Sequence, residues 1–149
     1  MTERPVYLRC KHCGTLNRLP ADRIGSGPRC GKCKNPLDIS VKPLDVTTAN
    51  FDKEVLSWPG DVLVEFWTAW CGFCRIMAPV VESIAREKVG ILKVARVNLD
   101  NEPLLGARFR INATPTFYFY RHGNKIADIS GAVPKEQFEP WLDSLLGSQ

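Results

Sequence analysis

Three cysteine pairs limit what this chain can fold into: Cys10/Cys13, Cys30/Cys33 and Cys71/Cys74, each with two residues between partners. No apolar stretch of about 7 to 15 residues follows a basic start, so nothing reads as a secretory leader. The expectation is a cytoplasmic protein whose thiols ligate metal or do redox work rather than form permanent disulfides. The longest apolar segment, residues 62–70, is interrupted by Glu65 and falls short of the roughly 18 residues a spanning helix needs. A soluble protein with no membrane partner is expected.

The surroundings of the pairs divide the chain. Around the first two, Gly14, Pro20, Gly25, Gly27, Pro28, Gly31 and Pro36 punctuate a stretch with too few apolar residues to make a core of its own. That stretch, residues 1–40, carries eight Lys/Arg against three Asp/Glu, whereas the remainder has twelve against thirteen. A boundary near residue 40 therefore separates a basic module, residues 1–40, from a conventional domain, residues 41–149. The length of 149 residues suits one small domain with a very small companion.

In the second part, Asn50 or a neighbouring threonine caps a short helix to about Ser57, the turn at Pro59-Gly60-Asp61 follows, and residues 62–67 read as a buried strand. Ile76, Val80, Ile84 and Val89 recur at helical spacing over residues 71–88, and residues 91–99 read as the next strand, which makes a β-α-β unit. A helix over 102–110 precedes strands at 116–120 and 125–130, joined at His122-Gly123-Asn124. Pro134 opens a last helix with Phe138, Trp141, Leu142 and Leu145 on one face. This is an α/β pattern: a mixed sheet covered by helices on both sides. Trp58, Phe66, Trp67, Phe117, Phe119 and Trp141 are expected in its core or helix packing, and no internal repeat or low-complexity tract stands out.

Cys10-Lys11-His12-Cys13, sixteen residues, then Cys30-Gly31-Lys32-Cys33 has the spacing of a four-thiolate zinc site of the ribbon or knuckle type. Four thiolates complete a tetrahedral shell with no open position, so the metal is expected to fold the segment rather than catalyse. Iron, held by the same four cysteines, is the competing metal. The surplus of Lys and Arg offsets the charge of about −2 on zinc with four thiolates. His12 and His122 read as solvated loop residues.

Cys71 and Cys74 fall where a strand gives way to a helix. Cys71 should sit at the helix N-terminus, where unpaired N–H groups favour a thiolate, and Cys74, one turn on, shares its face and can resolve a mixed disulfide. Trp70-Cys71-Gly72-Phe73-Cys74, with Glu65-Phe66-Trp67 before it and Thr114-Pro115-Thr116 after it, resembles the thioredoxin family over about residues 44–146. The resemblance implies the thioredoxin fold and a cis peptide before Pro115 facing the cysteines. It also implies a peptide groove formed by Trp70, Thr114, Gly131 and Ala132, beside Gly72 and Phe73. The Thr114 backbone would then be free to pair with an extended substrate strand.

Two positions depart from the family pattern: Phe73 stands where proline usually precedes the second cysteine, and Glu65 where the buried acid is usually aspartate. Phe73 restores a backbone N–H near the Cys71 sulfur, which would favour the reduced form. Glu65, in an otherwise apolar strand, is expected to have a raised pKa and to accept the Cys74 proton, with an edge-facing surface charge as the alternative; Arg96 reads equally as its partner or as an exposed strand charge. A thioredoxin domain preceded by this module resembles the bacterial thioredoxin 2 group. That implies a protein-disulfide reductase, fed by a flavin-containing thioredoxin reductase and acting on disulfide-containing client proteins. No nicotinamide fingerprint or tightly bound organic cofactor is expected. The alternatives are a more oxidising isomerase or oxidase, or a docking or nucleic-acid module carrying a redox domain. With only Tyr7 for stacking, nucleic acid is not the expected partner. Oxidant-driven metal release would make the module a redox sensor.

Overall fold

The computed structural model describes residues 4–39 and 42–147. The expected boundary near residue 40 falls at residues 40–41, outside the described residues. Before it lie two short antiparallel strands, β1 (Val6–Arg9) and β2 (Leu16–Leu19), and a 3-10 turn at Ala21–Arg23. Beyond it, β3 (Leu44–Asp45), β4 (Asp61–Trp67), β5 (Leu92–Asn98), β6 (Thr116–Arg121) and β7 (Asn124–Ser130) form one sheet in the order β3-β5-β4-β6-β7. β3 and β4 run parallel to β5, while β6 is antiparallel to β4 and β7.

The sheet is mixed, and both faces are covered. On one face α1 (Gly72–Glu87) and α3 (Lys135–Gly147) bury Met77, Val81, Ile84, Phe138 and Leu142 against Leu63, Val94, Phe117 and Phe119. Of the stripe read from the sequence only Ile84 is buried: Ile76 is exposed, Val80 half-buried and Val89 beyond the helix, and the buried face runs through Met77, Val81, Ile84 and Ala85. On the other face α2 (Pro103–Arg108) contributes Leu105, and the segment after Asn50 contributes Phe51, Val55 and Trp58 against Val62, Val64 and Phe66. The short helix expected to end near Ser57 is a π-helical turn, Asp52–Leu56.

Two further details differ from the sequence reading. Asp61, assigned to a turn, is the buried first residue of β4, and the two-residue strand β3 went unrecognised because both of its residues are exposed. Asn124 opens β7, which leaves His122 and Gly123 as a two-residue hairpin, both left-handed (φ 52° and 78°) as a type I′ turn needs. A Cβ on Gly123 would stand 2.4 Å from the Leu56 carbonyl oxygen, so the hairpin tip closes directly on the π-helical turn. No helix of the described residues is long and apolar enough to cross a membrane.

Candidate dithiol site and four-thiol cluster

β4 ends at Trp67, and the loop after it is tied to the end of β5: Leu99 N–H donates to Trp67 O (2.9 Å) and Ala69 N–H to the Asp100 carboxylate (3.1 Å). That anchorage fixes where α1 begins. Cys71 is its N-cap, with extended backbone, and its Sγ accepts the Cys74 N–H at 3.0 Å. The thiol thus replaces the Ser, Thr or Asp oxygen that more often satisfies the first helical N–H groups. Across the site, Cys71 Sγ donates to Thr114 O at 3.3 Å, immediately before a cis Thr114–Pro115 bond. Gly131 N–H donates to Pro115 O at 2.9 Å.

The fold thus gathers residues from three distant stretches. Trp70 is 86% exposed and Phe73 60%, Gly72 is exposed, and Thr114, Gly131 and Ala132 are half-buried around them. Ile76, 63% exposed one turn beyond Phe73, extends the apolar surface, although helical spacing put it on the apolar stripe of α1. Its i+3 spacing from Phe73 was the available signal.

The two thiols are driven apart. Burial pushes Cys71 up, but hydrogen bonds from Cys74, the Thr114 side chain and the Cys74 and Phe73 backbone N–H groups outweigh it, and its pKa is lowered. Cys74, buried, is pushed up to about 11 by desolvation and by its hydrogen bond to Cys71. One sulfur, on a half-buried residue, ionises more readily than an ordinary thiol. The other is held as a thiol beneath it.

Glu65 is fully buried on the face that α1 covers, two residues beyond Leu63. Arg96, its register partner on β5, donates from Nε to Oε1 at 2.8 Å, while Oε2 has no hydrogen-bond partner among the described residues. Desolvation raises the Glu65 pKa, and the Arg96 charge and hydrogen bond only partly offset it. The Arg96 guanidinium in turn lies 4.4 Å from the Trp67 ring centroid.

In the N-terminal segment the four sulfurs of Cys10, Cys13, Cys30 and Cys33 lie within 4.8 Å of one another. Cys10 and Cys33 are 3.5 Å apart, Cys13 and Cys30 3.6 Å. A tetrahedral zinc thiolate shell with bonds of about 2.3 Å would space sulfurs by about 3.8 Å, so the cluster fits such an ion with little adjustment. Two matching knuckles build it. Gly14 N–H donates to Cys10 O and Lys34 N–H to Cys30 O; Cys10 N–H donates to Thr15 O and Cys30 N–H to Asn35 O. Gly14 and Lys34 share the left-handed backbone (φ 79° and 67°). Arg9 and Arg29, each just before its first cysteine, reach forward to the carbonyls of Gly14 (2.9 Å) and Lys34 (3.1 Å).

This local repeat, Arg-Cys-x-x-Cys, was present in the sequence but too short to register as one. Asn17, also missed, is buried and links the knuckles, accepting Gly31 N–H (2.9 Å) and donating to Thr15 O (3.2 Å). His12 and His122 do not enter either site. Tyr7, the one aromatic considered for nucleic-acid stacking, packs against the main core instead.

A family model described as Thioredoxin matches residues 42–144, and a second, described as Thioredoxin 2, N-terminal, matches residues 9–35. Over 144 residues, 97% of this chain and 98% of the relative, the sequence is 30% identical to Thioredoxin C-3 of Corynebacterium nephridii. It is 39% identical to a Thioredoxin of Porphyra purpurea and 41% identical to Thioredoxin 1 of Nostoc sp. (strain PCC 7120 / SAG 25.82 / UTEX 2576). Each of those matches spans 101 residues, 68% of this chain and 94% of the relative.

Proposed function

The chain belongs to the thioredoxin family, in the thioredoxin 2 group with its N-terminal zinc ribbon, and is a thiol–disulfide oxidoreductase; on that premise we propose that it reduces protein disulfides through Cys71 and Cys74. The observation that carries this reading is the split between the thiols, Cys71 lowered and half-buried, Cys74 raised and buried. The Cys71 thiolate attacks one sulfur of a client disulfide, and the other client sulfur leaves as a thiolate. Cys74 then gives up its proton to Glu65 and attacks Cys71 Sγ. A Cys71–Cys74 disulfide forms, and the client departs with both thiols reduced. Pro115 cannot donate a hydrogen bond, so the Thr114 backbone is left to a client strand. Trp70, Gly72, Phe73, Gly131 and Ala132 line its path.

Electrons return from a flavin-containing thioredoxin reductase, and the protein works in the cytoplasm. The division at residue 40 assigns chemistry to residues 41–149 and metal binding to residues 1–40. There the four cysteines hold zinc in a structural role, neutralised by the basic surplus; iron is the alternative ion. The test is insulin reduction by the full chain with thioredoxin reductase and NADPH. Turnover above the reductase alone is expected, and its absence overturns the reading.

A more oxidising isomerase or oxidase remains the second reading, favoured by the Phe73 N–H aimed at the Cys71 sulfur. Phe73→Pro removes that donor. Its reduction potential, measured by equilibration with glutathione, is expected to be about 30 mV more negative, the equivalent of one hydrogen bond of about 1.4 kcal/mol to the thiolate. An unchanged potential removes the second reading.

Glu65→Gln is expected to slow release of the mixed disulfide by about 10-fold or more in single-turnover measurements. It also has a signature in stability. Because the folded carboxyl has a raised pKa, its contribution is fully present at low pH and is lost as pH rises through that value. The variant lacks this titration, so its unfolding free energy gains on the wild type as pH rises above about 4. A variant that loses ground to the wild type as pH rises contradicts the buried, hard-to-ionise carboxyl.

A further inference from the structure

β1 is shared by two cores. Leu8 packs with Cys10, Cys30 and Leu37 in the small cluster around the four thiols, while Tyr7, pointing the other way, packs against the main core. Arg9 follows Tyr7. Its Nε lies 2.6 Å from Glu54 Oε1 and its guanidinium 5.7 Å from the Trp58 ring centroid, while its Nη1 holds the Gly14 carbonyl inside the first knuckle. At the other end Arg4 donates to the Asp61 carboxylate (3.0 Å) and to Leu146 O (2.6 Å). Between them, Gly90 is left-handed (φ 83°), and a Cβ there would stand 3.0 Å from Ile24 and 3.3 Å from Val6. The fit leaves no room for a side chain.

The acceptors on the far side of this contact are shared with the redox domain's own cations. Glu54 Oε2 takes Lys93 Nζ at 2.8 Å, and Asp61 takes Arg121 Nε at 2.9 Å. Lys93 lies 3.5 Å from the Trp58 ring centroid with its side chain 14% exposed. Burial pulls its pKa down to about 8, against which the Glu54 carboxylate works to keep it charged. Glu54, Trp58, Asp61, Gly90 and Lys93 surround the start of β4 and β5. The dithiol follows the other end of β4, a seven-residue strand about 20 Å long.

We propose that metal ligation in the four-thiol cluster braces the pole of the redox domain opposite the dithiol, with Arg9 as the positioning residue that carries the coupling. The proposal rests on the zinc reading given above. Three buried residues are too few to hold the knuckles without ligation. Once the Cys10 knuckle loosens, the Gly14 carbonyl no longer fixes Arg9, and the Glu54–Lys93–Trp58 group loses its cover. Coupling of this kind is reciprocal: if zinc protects the pole by some factor, the intact pole tightens zinc by the same factor.

The test is amide hydrogen exchange on the reduced full-length protein, loaded with one zinc ion and after removal of zinc by a chelator. In the wild type, removal is expected to speed exchange at residues 52–58 and 92–94 by about 10-fold or more, leaving residues 116–121 unchanged. Arg9→Gln is expected to lose most of that zinc dependence and to bind zinc more weakly by the same factor. A stability loss without coupling would not produce that match. Equal exchange with and without zinc in a protein that binds one ion overturns the brace, as does full zinc dependence in Arg9→Gln. Failure to bind zinc at all overturns the metal reading and the brace with it, and the metal titration separates that case from the others. The wild-type comparison needs no variant to fold.

Discussion

Cys71→Ser is expected to abolish disulfide reduction, lowering insulin turnover by at least about 10³-fold, while Cys74→Ser leaves a protein that reacts once and stalls as a mixed disulfide. The asymmetry follows from the two environments. Cys71 sits at the helix N-terminus, accepting the Cys74 N–H, with its pKa lowered and its side chain only half-buried. Cys74 is 3% exposed with a pKa pushed up to about 11. At neutral pH its thiolate fraction is on the order of 10⁻⁴, so it cannot stand in as the attacking group when Cys71 is gone. When Cys74 is gone, attack proceeds but no second sulfur lies behind Cys71 to expel the client. The checks are turnover with thioredoxin reductase and NADPH, and mass spectrometry of Cys74→Ser after mixing with an oxidised client. Wild-type turnover by Cys71→Ser would remove the dithiol from the mechanism. A covalent adduct on Cys71→Ser rather than on Cys74→Ser would reverse the roles.

The parts legible in the sequence were those where one local rule decides the outcome. Helical spacing located α1, although its buried face runs through Met77 and Val81 rather than Ile76 and Val80, and the strand-to-helix transition gave the N-cap position of Cys71. The paired spacing of four cysteines gave the cluster. Glu65 was placed inward by the family resemblance more than by alternation, because β4 is buried on both faces and its neighbours Val64 and Phe66 are as apolar as Leu63. The edge strand β3, the π-helical turn and the role of Asp61 depend on what packs nearby, which no local pattern reports. The largest omission was β1. Tyr7 and Arg9 read as incidental members of a basic segment, yet their alternation with Leu8 and Cys10 is the period-2 pattern of a strand with a core on each side. Composition had split the chain at residue 40, and that split hid a strand serving both parts.

Cys30→Ser is expected to cost more metal affinity than Cys13→Ser, and to leave residues 4–39 without ordered structure once zinc is withheld. Both cysteines supply one sulfur to the same cluster, so equal donors would give equal losses. Their surroundings differ. Cys30 is fully buried, its Sγ accepts the Lys32 N–H at 3.4 Å, and it packs with Cys10 and Leu37 at the centre of a core of three buried residues. A serine there buries a hydroxyl in a space lined by sulfur and methyl groups and leaves that N–H with a poorer acceptor position. Cys13 is exposed, so water can approach the vacated ligand position. Loss of the Cys30 thiolate should weaken zinc by about 10³-fold or more, about 4 kcal/mol, against a typical apparent binding energy of about 10 to 16 kcal/mol in small zinc modules. Loss of Cys13 should weaken it by about 10-fold less than that. Competition with a chromophoric chelator measures both affinities, and amide dispersion in residues 4–39 reports the folding. Equal affinities in the two variants would mean that burial of the ligand contributes nothing. A well-dispersed segment in zinc-free Cys30→Ser would mean that something other than the four thiolates holds it together.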